Sequence, residues 1–600
     1  MLQVCNVIDV TEMCRQTHAD VRWREAAESA FSKLADYMSI LNADRSLYDA
    51  LEFVKEQALR HEVSLDEADL RLIALLKAEF ERDGIHLADS LRDEVRELQN
   101  TVTEIEGTFS RNLVRNRDMF SVENVTDVTD LVGTNVLSSV GAAVGADSSG
   151  EVTSLSLPKN DSGLLQTLLK YSTSPSLRKE IYMAHATAIP ENIPVLDDLV
   201  RTRHALASRQ GFESFTHRYL ADKMVGSPST VKTFLAQYLQ DNNDQFRKDM
   251  DALSSSKFKV EGNRHLEPWD VAFYTELNKA RIADPHPTVS QYLSLEGCIR
   301  AMEELVLRLF GIEMTPEPMD ETERWDMSVD QPTRECTLRK YNFTDTDGQP
   351  LGVMYLDLHP RENKFGHAAH FTLRCGCDSD SDEYQLPIVA LVCNLSSNTD
   401  LHHSSVETLF HEFGHVLHSL LSRTKYHHMF GTRVAIDFVE TPSHLLETFV
   451  WDPVFLKILA VDRRTGEPIP DNLVEQLRAT KSSFAAVERQ NQIIYSMFDQ
   501  ALFGYPTKES SSSLIERLLS ENGIPFAPGT HWHSRFGHLV SYGGGYYSYL
   551  HCQKFASSLW NHLFQGKSLS RESGEKLWRG ILIHGGQKDP QQLLDSTLNS

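Results

Sequence analysis

The sequence predicts a mainly α-helical protein with one small β-sheet, organised as at least two lobes. Three observations carry this. Helical periodicity runs through most of the chain, the convincing strands cluster between residues 336 and 395, and 600 residues with 41% hydrophobic content exceed what one core usually supports. A polar segment punctuated by Pro316 and Pro318 and ending at Gln331 marks the approximate boundary. It divides a mostly helical lobe, 1–330, from a second lobe, 331–600, with part of 470–530 expected to pack back on the first.

Taken in order, residues 21–110 are charged and helical in period, with Ala26, Phe31, Leu34, Tyr37 and Met38 spaced as in long amphipathic helices. Residues 121–158 turn to Val, Thr, Ser and Gly, with GADSSG as a turn, and read either as a small sheet or as a surface loop. Helical period returns over 164–186, 192–209 and 230–253. Strands are predicted at 336–343 and 352–358 around a turn at Asp347-Gly348, then at 369–374 and 388–395.

Directly after this sheet comes VETLFHEFGHVLHSLL, residues 406–421, which carries His411, Glu412 and His415 as His-Glu-x-x-His. Two histidines four apart on a helix share one face. Such a pair, with a third ligand and an open position, suits a zinc ion that polarises a carbonyl and acidifies water, and Glu412 is then placed to take the water's proton. Ser404 and Glu407 read as a capping box, and Val406, Leu409, Phe413, Val416, Leu417 and Leu420 form the side opposite His411, His415 and His418. A second helix is predicted over 437–451, opened by Asp437 with Glu440. Its polar face offers Glu440, His444 and Glu447. Spacing favours Glu440 as third ligand, leaves His444 as its rival, and suits Glu447 to orienting an imidazole. His427 and His428, in the connecting loop, read as solvated.

A formal charge of −25 argues against a nucleic-acid ligand and permits cationic peptides. Eight cysteines without a CxxC pair read as free thiols in a reducing compartment. The most apolar stretch, 386–393, is far too short to span a membrane, so no insertion is expected. Asp9, Glu12, Asp20, Glu25 and Glu28 leave no visible transit peptide.

HEFGH and DFVETPSHLLE at this separation resemble the thimet oligopeptidase and neurolysin family of zinc metallopeptidases, and most of all its mitochondrial intermediate peptidase branch. FESFTHRYLADKM, EPWDVAFY, LGVMYLDLHPRENKFGHAAHF and FGHLVSYGGGYYSYL extend the resemblance over nearly the whole chain. It implies two helical lobes flanking a deep substrate channel, one zinc ion held by His411, His415 and Glu440, and His418 as packing. It also implies that an edge strand beside the metal helix pairs with the substrate backbone, for which 369–374 is our choice.

In HLVSYGGGYYSYL, three glycines separate Tyr542 from Tyr546, Tyr547 and Tyr549. An aromatic stripe alone reads as core. The resemblance instead implies that His538, Tyr542, Tyr546 and Tyr549 contact the reacting peptide. We expect Tyr542 and Tyr549 as oxyanion donors on a flexible hinge, His538 in support, Tyr546 with Gly543 and Gly544 lining the cleft, and Tyr547 packed inward. The function implied is a metalloendopeptidase acting on short or unfolded peptides and removing N-terminal octapeptides from imported mitochondrial precursors. Its place is then the mitochondrial matrix and its state monomeric. A general oligopeptidase, cytoplasmic in address, is the alternative, and a silent peptide-binding relative is disfavoured because the base and all three ligands are present.

Overall fold

The computed structural model of the chain describes residues 2–116, 118–122, 125–132, 137, 142–146, 152–159, 161–282, 286–327, 336–379, 383–395 and 400–599. Helices dominate throughout. The periodic run expected over 21–110 is four helices, Val21–Asn42, Arg45–Leu59, Glu67–Arg82 and Asp89–Arg115. Asp20, Asp44 and Asp66 begin the first three, each accepting a first-turn N–H that would otherwise lack a partner. The Val/Thr/Ser-rich stretch is a small sheet: β1 (Met119–Ser121), β2 (Ala143–Ala146) and β3 (Val152–Pro158), in the order β1-β3-β2. Residues 147–150 of the expected GADSSG turn lie outside the described residues.

The main sheet has five strands, β4 (Glu313–Glu317), β5 (Arg339–Thr344), β6 (Pro350–Asp357), β7 (Ala369–Arg374) and β10 (Ile388–Val392), in the order β4-β5-β6-β10-β7. A minor pair, β8 (Cys377–Asp378) and β9 (Tyr384–Gln385), lies between the last two in sequence. All neighbours in the main sheet are antiparallel except β6 and β10. Strand β4 was not expected, because Pro316 reads as a breaker. It forms at the sheet's edge, opposite Tyr341, where a missing N–H is tolerated. The other edge is β7, as the choice of 369–374 anticipates.

Alternation along the strands separates two faces. Phe343, Met354, Leu356, Val389 and Leu391 join the core that contains the metal helix, while Tyr355, Ala390 and Val392 are covered by Met13 and Trp325. The metal-helix core also takes Val289 to Met314 from ahead of residue 331, and Ala556 to Leu594 from the C-terminal helices. A second core joins Val95 to Phe109, Leu196 to Phe215 and Ile494 to Val540. The two cores define two helical lobes. A cavity of about 1390 Å³ opens between the N-terminal helices and the catalytic lobe, lined by Asp9, Arg82, Tyr219, Lys223, Arg433 and Ile436 among others. Among the described residues, no helix is long and apolar enough to cross a membrane.

Candidate metal centre

The metal helix runs His403–Leu421 and is capped by His402 without a side-chain bond, so the Ser404/Glu407 box does not form. Glu407 instead accepts from the Trp451 indole at 2.8 Å and the Lys481 ammonium at 2.6 Å, partners from later in the chain that a local pattern cannot anticipate. Trp578 closes the other end, its indole N–H donating to Leu421 O at 3.0 Å. The predicted aliphatic face is fully buried. Much of the imidazole side is covered too: Glu412 and His415 are each 8% exposed and His418 not at all, while His411 is half-buried.

The expected second helix is two pieces, Ile436–Val439 and Thr441–Phe449, with Glu440 at the break between them. Pro442, in the first turn of the second piece, has no N–H to continue the ladder. Asp437 does not cap. Its buried carboxylate accepts from Met224 N and Val225 N, both at 3.2 Å, and from the Tyr547 hydroxyl at 2.8 Å. The close approach of the two metal elements depends on Gly414, where a Cβ would stand 2.5 Å from Ser443 Cα and 2.9 Å from Pro442 O.

At this crossing, His411 Nε2 and His415 Nε2 meet the same oxygen, Glu440 Oε2, at 3.2 and 3.0 Å. Ligand atoms sharing one tetrahedral zinc at bonds of about 2.0–2.1 Å stand about 3.3 Å apart, so the donor set fits one such ion. Burial opposes charge on His411, yet its hydrogen bonds to Glu440 and Glu447 outweigh that and raise it to about 10. Burial likewise acts against Glu440, but bonds from the two imidazoles hold it well below the usual carboxylate range. Two imidazole nitrogens crowded on one anionic oxygen is an arrangement a divalent cation completes.

Glu447 accepts from His411 Nδ1 at 2.5 Å, which leaves Nε2 for the metal. His444 contacts the same Glu447 oxygen through Nδ1 at 3.1 Å, its Nε2 has no partner among the described residues, and with His411 and Glu447 it forms a second group whose ligand atoms lie close enough to hold a metal ion. His418 packs inward: among the described residues neither ring nitrogen has a hydrogen-bond partner, and its ring meets Phe438 edge-on at 6.4 Å. His427 and His428 are half-buried rather than solvated, their rings 4.3 Å apart. Burial pushes Glu412 upward, with the neighbouring imidazoles opposing. On β7, His370 lies beside the metal helix, its Nε2 3.1 Å from Ser419 Oγ and its ring 6.3 Å from that of His415.

The tyrosine loop brings its rings together. His538 lies 5.9, 5.4 and 6.0 Å from Tyr542, Tyr546 and Tyr549, centroid to centroid. Burial, followed by Tyr542 and the Glu440 carboxylate, raises the Tyr549 phenol to about 12, which keeps it a donor. Tyr542 is 38% exposed, and Tyr547 is fully buried, as expected. Two expectations are corrected. Tyr546 is only 8% exposed, with its hydroxyl donating to Gln492 Oε1 at 2.8 Å. Gly543 and Gly544 are buried. A Cβ on Gly543 would fall 2.0 Å from Arg203 Nη1, Gly544 has φ +84°, and its N–H donates to Asp499 Oδ1 at 2.8 Å. The glycines permit close packing and a left-handed turn, and the run is not a free hinge. Arg203 and Asp499 were missed, and Asp437 was read only as a helix cap. Neither Arg203 nor Asp499 lies in a short motif that would single it out.

A model of peptidase family M3 matches residues 168–599. The mitochondrial intermediate peptidase of Arabidopsis thaliana is 35% identical over 98% of this chain and 84% of its own length. That of Homo sapiens is 30% identical over 99% and 80%. Among solved structures, a Pyrococcus furiosus carboxypeptidase superposes over 100% of this chain and 93% of its own, with TM-score 0.53 at 11% identity, a likeness of fold.

Proposed function

The chain belongs to peptidase family M3, and from that membership we propose that it is a metalloendopeptidase of the mitochondrial intermediate peptidase type, which removes N-terminal octapeptides from imported precursors in the mitochondrial matrix. The observation that carries the chemistry is the convergence of His411 Nε2 and His415 Nε2 on Glu440 Oε2 at 3.2 and 3.0 Å. These three residues would hold one zinc ion. Bound there, zinc supplies a Lewis acid that polarises the scissile carbonyl and acidifies water.

The chain's own residues do the rest. Glu447 holds the His411 ring so that Nε2 faces inward. Glu412, its proton affinity raised by burial, takes a proton from the attacking water and returns it to the leaving amine nitrogen. The phenols of Tyr542 and Tyr549 donate to the carbonyl oxygen as it becomes an oxyanion, with His538 packed between them. Strand β7, at the sheet edge beside the metal helix, offers backbone groups to an extended peptide.

The test has two parts. Elemental analysis should find one zinc per chain, absent after His411→Ala or Glu440→Ala. The purified protein should then remove an octapeptide from a precursor in preference to cleaving unrelated short peptides. Equal cleavage of both would assign it to general peptide degradation, and a wild-type protein that never takes up metal would overturn the reading.

A further inference from the structure

The proposed metal ligands lie on elements of one core, while Leu539 and Val540, at the head of the tyrosine loop, belong to the other, so the loop's placement decides whether its phenols reach the reacting carbonyl. Two buried charges hold it. Arg203, on helix Asn192–Arg209, is 4% exposed, with its guanidinium 4.8 Å from the ring centres of both Phe215 and Phe503. It donates to Leu539 O at 2.9 Å and Val540 O at 2.5 Å, just ahead of the glycine run. Asp499, on helix Ala485–Leu502, is fully buried and grips the run's far side, accepting Gly544 N–H at 2.8 Å and Tyr546 N–H at 3.0 Å.

The same helix adds two further contacts. Gln500 Nε2 donates to Gly544 O at 2.7 Å, and Gln492 Oε1 accepts from the Tyr546 hydroxyl at 2.8 Å. Residues 492, 499 and 500 fall on one helix face. A buried charge is a poor means of gaining stability. Here both carboxylate oxygens are committed to loop N–H groups, which directs their effect to the loop's geometry.

We propose that Asp499 is a positioning residue for peptide hydrolysis: with Arg203 it fixes the His538–Tyr549 loop so that the Tyr542 and Tyr549 hydroxyls meet the carbonyl under attack. This rests on the oxyanion role given to those phenols above.

The test uses the zinc-loaded full chain and a short fluorogenic peptide. Asp499→Asn keeps one accepting oxygen and turns an amide N–H₂ toward the other loop N–H. It should lower kcat about 10- to 100-fold, with KM, zinc content and thermal midpoint close to wild type, a split that a purely structural role would not give. In a Tyr542→Phe/Tyr549→Phe background, the same substitution should cost less than about threefold, because the groups it positions have lost their hydroxyls. Wild-type kcat in Asp499→Asn, or an equal fold-loss in both backgrounds, overturns the proposal. If the tyrosine double variant itself keeps wild-type kcat, the oxyanion reading falls and the proposal with it. A slowed tyrosine variant beside an unaffected Asp499→Asn overturns the proposal alone. Should Asp499→Asn fail to fold, Gln500→Met, which removes only the bond to Gly544 O, goes through the same cycle, and the same outcomes support or overturn the proposal.

Discussion

Glu412 and Glu447 lie near the same imidazole, yet their surroundings give them opposite proton affinities. Burial dominates at Glu412 and raises it, whereas at Glu447 bonds from His411 and His444 overcome burial and hold it at about 2. The first is therefore suited to exchange a proton and the second to remain an anion. Glu412→Gln should cut kcat by at least about a thousandfold while zinc content stays at one per chain; turnover near wild type would remove Glu412 from the chemistry. Glu447→Ala should weaken metal affinity about 10- to 100-fold, read by competition with a chromogenic chelator. His411, Glu412 and His415 were legible in the sequence because an i, i+4 pair is a local signal. Arg203 and Asp499 were not, since their partners lie at 539, 540, 544 and 546 and no short window contains both ends.

The two elements that carry His411, His415 and Glu440 cross closely because residue 414 has no side chain. Gly414→Ala would press a methyl on Ser443 Cα and Pro442 O, backbone atoms that cannot swing aside. The expected result is a destabilisation of about 1–3 kcal/mol, seen in urea unfolding, together with weakened zinc binding as Glu440 is pushed from the histidines. Unchanged metal affinity would show that the crossing has slack. At this scale the sequence located the elements better than their ends. Both capping boxes it suggested are absent, because Glu407 is taken by Trp451 and Lys481 and Asp437 by Met224, Val225 and Tyr547, competitors supplied by tertiary structure. Strand β4 escaped notice because Pro316 is permissible only at a sheet edge, and edges are a property of the assembled sheet.

At the scale of the whole molecule, three buried histidines away from the metal site contribute to the response to acid. His185 Nδ1 lies 2.9 Å from Lys159 O while its Nε2 accepts from Arg535 Nη1 at 2.9 Å, and His18 Nδ1 accepts Asp20 N–H at 3.0 Å, so each is held neutral. Burial lowers His18, His185 and His533 to about 4. In the unfolded chain they protonate near 6.5. Between these values the unfolded state binds more protons, so the stability they contribute is complete above about pH 6.5 and is lost progressively toward pH 4. Urea midpoints measured from pH 8 to pH 4.5 should fall through that window, and His18→Gln or His185→Gln should flatten the decline. A midpoint indifferent to pH across it would contradict the assignment. Length and composition led to the expectation of two lobes, but which segments share a core was not legible, since Val289 to Met314 and Ile494 to Val540 pack across the chain.

The clamp on the tyrosine loop bears on how the enzyme is born. A polypeptide leaving the ribosome carries His411, His415 and Glu440, the residues proposed to hold the metal, once Glu440 has emerged. It still lacks Asp499, the loop that Asp499 and Arg203 hold, and the Trp578 indole that seals the end of the His403–Leu421 helix. Such an unfinished molecule carries the proposed ligands but lacks both the loop and the later segments of the metal-helix core, so on this reading it should show no peptidase activity until translation has almost run its course.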